Sequence, residues 1–307
     1  LGAFNQARFD GATLPCALCA SAGVVLPEPE TGVHWLEDRP AARAAVIDVL
    51  QSGHLVQGAQ VAELEALSAT LCGTHYAVAV SSGTAALHLA LLALDIGVGD
   101  EVLVPDFTFP ATANVVRRVG ATPVVVDIDL ATLNLTADAL ESLITERTKA
   151  IIPVHLFGLP CDMNAVRAIA QRHNLAIIED AACAMGSHYG GKPCGALGKI
   201  GCFSFHPRKV ATTAEGGMLT TDDLALANRL RSLRSHGFEL NDQGKMELTQ
   251  AGLNYRMSDV HAALGVVQLK RIDAFIAKRR QVAQWYFAAL SEAPKIRLPA
   301  DDDQHTY

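Results

Sequence analysis

Five short and almost wholly apolar runs, at residues 76–80, 101–104, 123–127, 150–154 and 176–179, constrain the fold of this chain more than any other feature. A strand with one wet face alternates apolar and polar residues, and these runs do not. Continuous apolar runs of this length, separated by helical stretches, mark strands covered on both faces, as in a mostly parallel sheet flanked by helices. Ligands on such sheets sit beyond the carboxyl ends of the strands. The residues that follow the runs, 81–84, 107–109 and Asp180, are therefore the first candidates for a site.

Around this α/β core the helical signals are local. Residues 41–50 form an alanine-rich amphipathic pattern that stops at Ser52-Gly53, and residues 59–72 form another that stops at Gly73. The link between them, residues 53–58, reads as a plain helix connection. From Ser258 the pattern predicts one long helix, with Val260, Leu264, Val267 and Phe275 on one face, ending at Ala293-Pro294. Residues 1–40 lack periodicity and read as an extension. Cys16 and Cys19 in it make a lone C-x-x-C, with no second pair to complete a zinc site.

A chain of 307 residues, 50% of them hydrophobic, can bury a core of one large domain or two moderate ones. Its net charge of -7 comes without long single-sign runs, so it offers no electrostatic footprint for nucleic acid or an anionic membrane. No stretch reaches the roughly 20 consecutive apolar residues needed to span a bilayer. The first residues also lack a basic region followed by an apolar run. A cytoplasmic protein is expected. Seven cysteines, an odd number beside a full-sized core, are expected to be mostly buried small hydrophobes.

The chemistry centres on Gly201-Cys202-Phe203-Ser204-Phe205-His206-Pro207-Arg208-Lys209. An apolar strand-like run leads into a Pro turn, and a lysine placed just after it is held on rigid backbone and loses part of its solvation, which favours Schiff-base chemistry. Ser82-Gly83-Thr84, at the start of an apolar helix, reads either as a simple N-cap or as an anion cup of free N–H groups. Asp180 ends an apolar strand, and Glu179 before it should point to the opposite face. His155 and His206, near strand ends, read as structural histidines and stay outside the catalytic set.

These segments, together with Ser81-Ser82-Gly83-Thr84-Ala85-Ala86-Leu87, Asp106-Phe107-Thr108-Phe109, Glu179-Asp180-Ala181-Ala182 and Asn254-Tyr255-Arg256-Met257-Ser258-Asp259, resemble the DegT/DnrJ/EryC1/StrS family of sugar aminotransferases, in the family's order. The resemblance covers roughly residues 42 to 290. It implies a fold-type-I transferase dependent on pyridoxal 5'-phosphate (PLP). Its domain scheme is an N-terminal extension over 1–40, a large cofactor-binding α/β domain over 41–257, and a connecting helix with the incomplete start of a smaller C-terminal domain over 258–307.

The same resemblance gives roles. Lys209 forms the Schiff base and Asp180 partners the pyridine nitrogen, so that the ring can take up electrons. Gly83, Thr84 and Ser204 hold the phosphate, and Phe109 stacks on the ring. Asn254 reaches the phosphate of the neighbouring subunit in a homodimer. The implied reaction moves an amino group, usually from glutamate, to a keto group of a nucleotide-linked deoxysugar.

Two departures keep a second reading open, that of a PLP-binding family member without turnover. Relatives typically continue beyond His305-Thr306-Tyr307, and where they commonly carry a Gln bonded to the cofactor's 3-hydroxyl this chain has Cys183, a weak donor. A nucleotide-binding oxidoreductase is disfavoured, because no G-x-G-x-x-G follows a strand. Replacing Cys183→Gln is expected to move the visible absorption band of bound PLP, and a band that stays in place would take residue 183 out of the site.

Overall fold

The structure is a computed structural model that describes residues 39–299 apart from 242, 292, 294 and 295, together with the strand at 305–306. The expected N-terminal extension, with Cys16 and Cys19, lies outside the described residues. Trp35–Ile276 and Ala277–Pro299 fall in two different compact units; the first holds every candidate site residue.

The strands in chain order are β1 Tyr76–Val80, β2 Glu101–Pro105, β3 Thr122–Val126, β4 Thr148–Ile151, β5 Ala176–Asp180, β6 His188–Tyr189, β7 Lys192–Pro193, β8 Ile200–Ser204, β9 Gly217–Thr221, β10 Phe238–Leu240, β11 Met246–Leu248 and β12 His305–Thr306. Seven of them form one sheet in the order β1-β9-β8-β5-β4-β2-β3. All five apolar runs are strands of this sheet. From β3 to β8 the pairings are parallel, and β9 runs antiparallel between β8 and β1.

Alternation along each strand explains why the runs are apolar throughout. Ala77, Ala79, Leu103, Ile151 and Ile177 pack into one buried cluster, while Val78, Val80, Val102, Val104, Ala150 and Ile178 pack into a second. Strands β1, β2, β4 and β5 thus feed two cores, one on either face of the sheet, whereas β3, at the sheet edge, sends Val126 into the first and leaves Val125 exposed, so the run at 123–127 is not covered on both faces as its sequence suggested. Periodicity did not mark β9, whose sequence ends in two threonines. They are buried because the Thr220 hydroxyl donates to the Gly195 carbonyl at 2.8 Å and the Thr221 hydroxyl to the Lys199 carbonyl at 3.0 Å.

The first two expected helices form over Arg39–Ser52 and Ala59–Cys72. The single long helix expected from Ser258 does not form. It is two helices, Asp259–Leu269 and Ile272–Leu290, parted where the Arg271 N–H bonds the Gln268 carbonyl at 3.1 Å in a tighter turn. Their surroundings differ: Ala262, Ala263, Val266 and Leu269 are core residues of the first, whereas Ile272 is the one residue of the second recorded as buried. Among the described residues no helix is long and apolar enough to cross a membrane.

Residues 53–58 are tied down from far along the chain. The buried Asp259 carboxylate accepts the N–H groups of Gly58 at 2.8 Å, Gln60 at 3.2 Å and Val61 at 3.3 Å. It caps the helix Ala59–Cys72, a task that no local side chain performs. The Asp259 N–H in turn bonds the Leu55 carbonyl at 2.8 Å. Asp259→Ala leaves buried donors unpaired and is expected to cost about 2 kcal/mol or more in urea unfolding; a smaller loss than about 0.5 kcal/mol would show that water replaces the cap.

Candidate active site

Strand β5 ends in two adjacent carboxylates that face opposite sides of the sheet. Glu179 lies on the side of Ile177. It is completely buried, and its Oε1 accepts the N–H groups of Leu197 at 2.7 Å and Gly198 at 2.6 Å. Its Oε2 accepts the Gly195 N–H at 2.7 Å and the His155 ring at 3.0 Å. The His155 Nδ1 accepts the Cys161 N–H at 3.2 Å, which leaves Nε2 to donate to Glu179. His155 is therefore a structural histidine, as its sequence context suggested. His155, Glu179 and Cys194 bring their ligand atoms within 4.8 Å of one another. That grouping is filled by hydrogen bonds rather than arranged for an ion: both Glu179 oxygens are engaged, and burial, with Glu179 beside it, pushes the Cys194 thiol pKa well up.

Asp180 lies on the other side, 5% exposed. Its Oδ2 accepts the Thr112 hydroxyl at 2.8 Å, and its Oδ1 is 3.3 Å from the Ala182 N–H. Burial raises its pKa above the usual carboxylate range; the Thr112 hydroxyl and the Ala182 N–H act against that rise, as does the charge of Lys209. The turn after Asp180 carries Cys183, and the Lys209 ammonium donates to the Cys183 sulfur at 3.0 Å. The amine and the buried carboxylate thus meet at one turn.

Lys209 arrives there by the route the sequence suggested. Strand β8 pairs in parallel with β5, placing Cys202 opposite Asp180. After Ser204 and the buried Phe205, residues 206–209 close a turn through the Lys209 N–H and the His206 carbonyl at 2.9 Å, with Pro207 at its second position. The phosphate-cup candidates gather beside it. Ser82 caps the helix Gly83–Ala93 by accepting the Ala85 N–H at 3.1 Å, and the first-turn N–H groups of Gly83 and Thr84 have no acceptor within their helix. A Cβ on Gly83 would stand 2.8 Å from the Ser204 Cβ, and one on Gly217 would stand 2.3 Å from the Ser82 carbonyl oxygen. Glycine at both positions lets β8, β9 and the helix start converge.

Phe109 lies on the turn between β2 and the helix Ala111–Arg118 and is 74% exposed. Thr84 is exposed at the helix start. Asn254 is exposed, bridged through its backbone to Ser235, and next to Tyr255, whose carbonyl accepts the Ser81 N–H at 2.9 Å. Sequence reasoning assigned no role to Thr112 or Gly217. Nothing local distinguishes Thr112 from an ordinary helix-start threonine.

The arrangement suits a planar, anionic cofactor: helix-start N–H groups with no acceptor in their own helix and a serine at one end, a buried carboxylate and an amine at the other, and an exposed aromatic nearby. Its architecture, a mostly parallel sheet flanked by helices, is that of fold-type-I aminotransferases. DesV from S. venezuelae superposes with a TM-score of 0.84 at 39% identity, over 88% of this chain and 72% of that one. The PLP-form of the putative sugar aminotransferase Spr1654 from Streptococcus pneumoniae superposes with a TM-score of 0.82 at 32% identity, over 88% and 74%. GDP-perosamine synthase of Caulobacter vibrioides is 50% identical over 229 residues, which are 75% of this chain and 61% of that protein, so the chain spans less than two thirds of this curated relative. The sequence profile of the DegT/DnrJ/EryC1/StrS aminotransferase family matches residues 37–307, and the chain belongs to this family.

Because Glu179 joins β5 to the 195–198 segment and to His155, its substitution is felt well beyond one contact. Glu179→Gln places an amide N–H against backbone N–H donors. It is expected to cost about 3 kcal/mol or more in urea unfolding; a loss within about 0.5 kcal/mol would show that the segment finds other acceptors.

Proposed function

We propose that the chain carries the PLP-binding machinery of an aminotransferase that moves an amino group, usually glutamate's in this family, to a keto group of a nucleotide-linked deoxysugar. The observation that carries this reading is the meeting of Lys209, Cys183 and the buried Asp180 at the carboxyl end of β5. Bound PLP supplies an aldehyde that takes up amino groups and a ring that withdraws electrons from the donor's Cα.

The chain's own residues divide the remaining work. Gly83 and Thr84 offer N–H groups, with the positive end of the helix dipole behind them, and Ser204 offers a hydroxyl; together they bind the phosphate. The Asp180 carboxylate holds a proton on the pyridine nitrogen. Phe109 covers a ring face and excludes water. The Lys209 amine would hold the cofactor's aldehyde and would serve as the base that moves the donor's Cα proton. Cys183, in hydrogen-bond reach of Lys209, takes the place of the family's usual Gln beside the 3-hydroxyl. In this reading residues 41–257 form the cofactor-binding part, 258–307 begin a smaller one, and the work is done in the cytoplasm.

A homodimer belongs to the same proposal. In the hairpin of β10 and β11, Phe238 pairs with Leu248 and Leu240 with Met246, so four large apolar side chains share one face, and all four are exposed. Exposed Asn254 follows a few residues later, where the resemblance has it reach the partner's phosphate. A second copy that covers this face would bring the two sites together.

The purified chain soaked in PLP is expected to turn yellow, and glutamate is expected to discharge the visible band. Borohydride should fix the cofactor to Lys209 in the parent and nowhere in a folded Lys209→Ala variant. Colourless protein after soaking would overturn the cofactor reading, and a band that persists in saturating glutamate would leave cofactor binding without amino transfer.

A further inference from the structure

We propose that Thr112 is a positioning residue, whose hydroxyl fixes the Asp180 carboxylate with Oδ1 open toward the cofactor ring nitrogen and ties the turn bearing Phe109 to the same carboxylate. The inference rests on the proposed PLP site and deepens it.

The geometry is one-directional. An ionised carboxylate has no hydrogen to give, so the 2.8 Å contact has Thr112 donating to Asp180 Oδ2. A hydroxyl has one hydrogen. The 2.9 Å contact between the Thr108 and Thr112 hydroxyls must then have Thr108 as donor. The result is a chain from Thr108 through Thr112 to Asp180, in which each bond polarises the next. Thr112 has no exposed surface, and Asp180 very little, so water does not compete for either.

The same contacts hold Phe109. The turn from Thr108 to Thr112 is closed by the Thr112 N–H on the Phe109 carbonyl at 3.2 Å, and both flanking threonine hydroxyls belong to the chain that ends on Asp180. Phe109 itself, largely exposed, adds little to the packing of the fold. A turn anchored this firmly presents its aromatic ring in fixed register with the carboxylate, and a flat heteroaromatic ring needs both, one at its face and one at its nitrogen. The remaining charged group acting on Asp180 is Lys209, while the Cys202 thiol stands across on β8. The Thr112 hydroxyl is the contact by which the Phe109 segment reaches Oδ2.

Thr112→Val keeps the shape and removes the donor, whereas Thr112→Ser keeps the donor. Full chains of parent, both variants and Thr108→Val are titrated with PLP, following visible absorbance for affinity and band position, and are melted without cofactor. Thr112→Val is expected to bind PLP about tenfold more weakly or worse with a displaced band, Thr112→Ser to return to about the parent value, and Thr108→Val to show a smaller loss in the same direction. A Thr112→Val chain that matches the parent in affinity and band overturns the inference, as does one that only melts lower with its band unmoved. If Thr112→Val does not fold, the Thr108→Val titration decides: parent-like binding there overturns the inference. A parent that binds no PLP overturns the cofactor reading itself.

Discussion

Everything at the candidate site depends on the opposite facing of two neighbouring carboxylates at the end of β5. Strand geometry sends Glu179 to one side of the sheet and Asp180 to the other. Glu179 gathers three backbone N–H groups of the 195–198 segment and the His155 ring. That segment leads directly into β8. Fixing it fixes the strand that carries Ser204 and, one turn later, Lys209. Asp180, freed from any such structural duty, faces Thr112 and the turn that holds Cys183.

A buried charge tolerated for structure and a buried charge kept for chemistry look alike in a list of residues. Their hydrogen bonds separate them. Both oxygens of Glu179 are saturated by short bonds, which leaves it nothing to offer a ligand. Asp180 has one oxygen firmly held and another with a single long contact from Ala182. Its burial raises its pKa, and the surrounding donors and the Lys209 charge oppose that rise. An ionised acid in that condition has unused capacity to stabilise a cation, which is what a protonated ring nitrogen brings.

Much of this was legible from the chain alone. Four of the five apolar runs became strands that feed two cores and so are apolar at successive positions, which no long-range information is needed to see; the fifth, β3, lies at the sheet edge with Val125 exposed. The helix stop at Gly73 and the Pro turn before Lys209 were equally local. Less legible were β9, the break between Leu269 and Ile272, and the roles of Thr112 and Gly217. The break rests on a tighter local turn that the apolar pattern does not mark, and the others depend on partners far away in sequence. Threonines reside in a central strand only because Gly195 and Lys199 offer carbonyls there, and Gly217 is glycine only because Ser82 and Gly83 pass within contact distance.

The order of residues along the chain, by itself, determined the alternation of strands and helices and the placement of Asp180, Lys209 and the 82–84 segment at strand ends, since both follow from periodicities of a few residues. Which of these groups touch was settled by the tertiary fold. The contact of Lys209 with Cys183, the bond of the Thr112 hydroxyl to Asp180 and the hold of Glu179 on its segment all join residues at least 16 positions apart. Such contacts arise only when the sheet sets β5 beside β8, because pairing in space is fixed by the packing of whole strands and not by any local pattern.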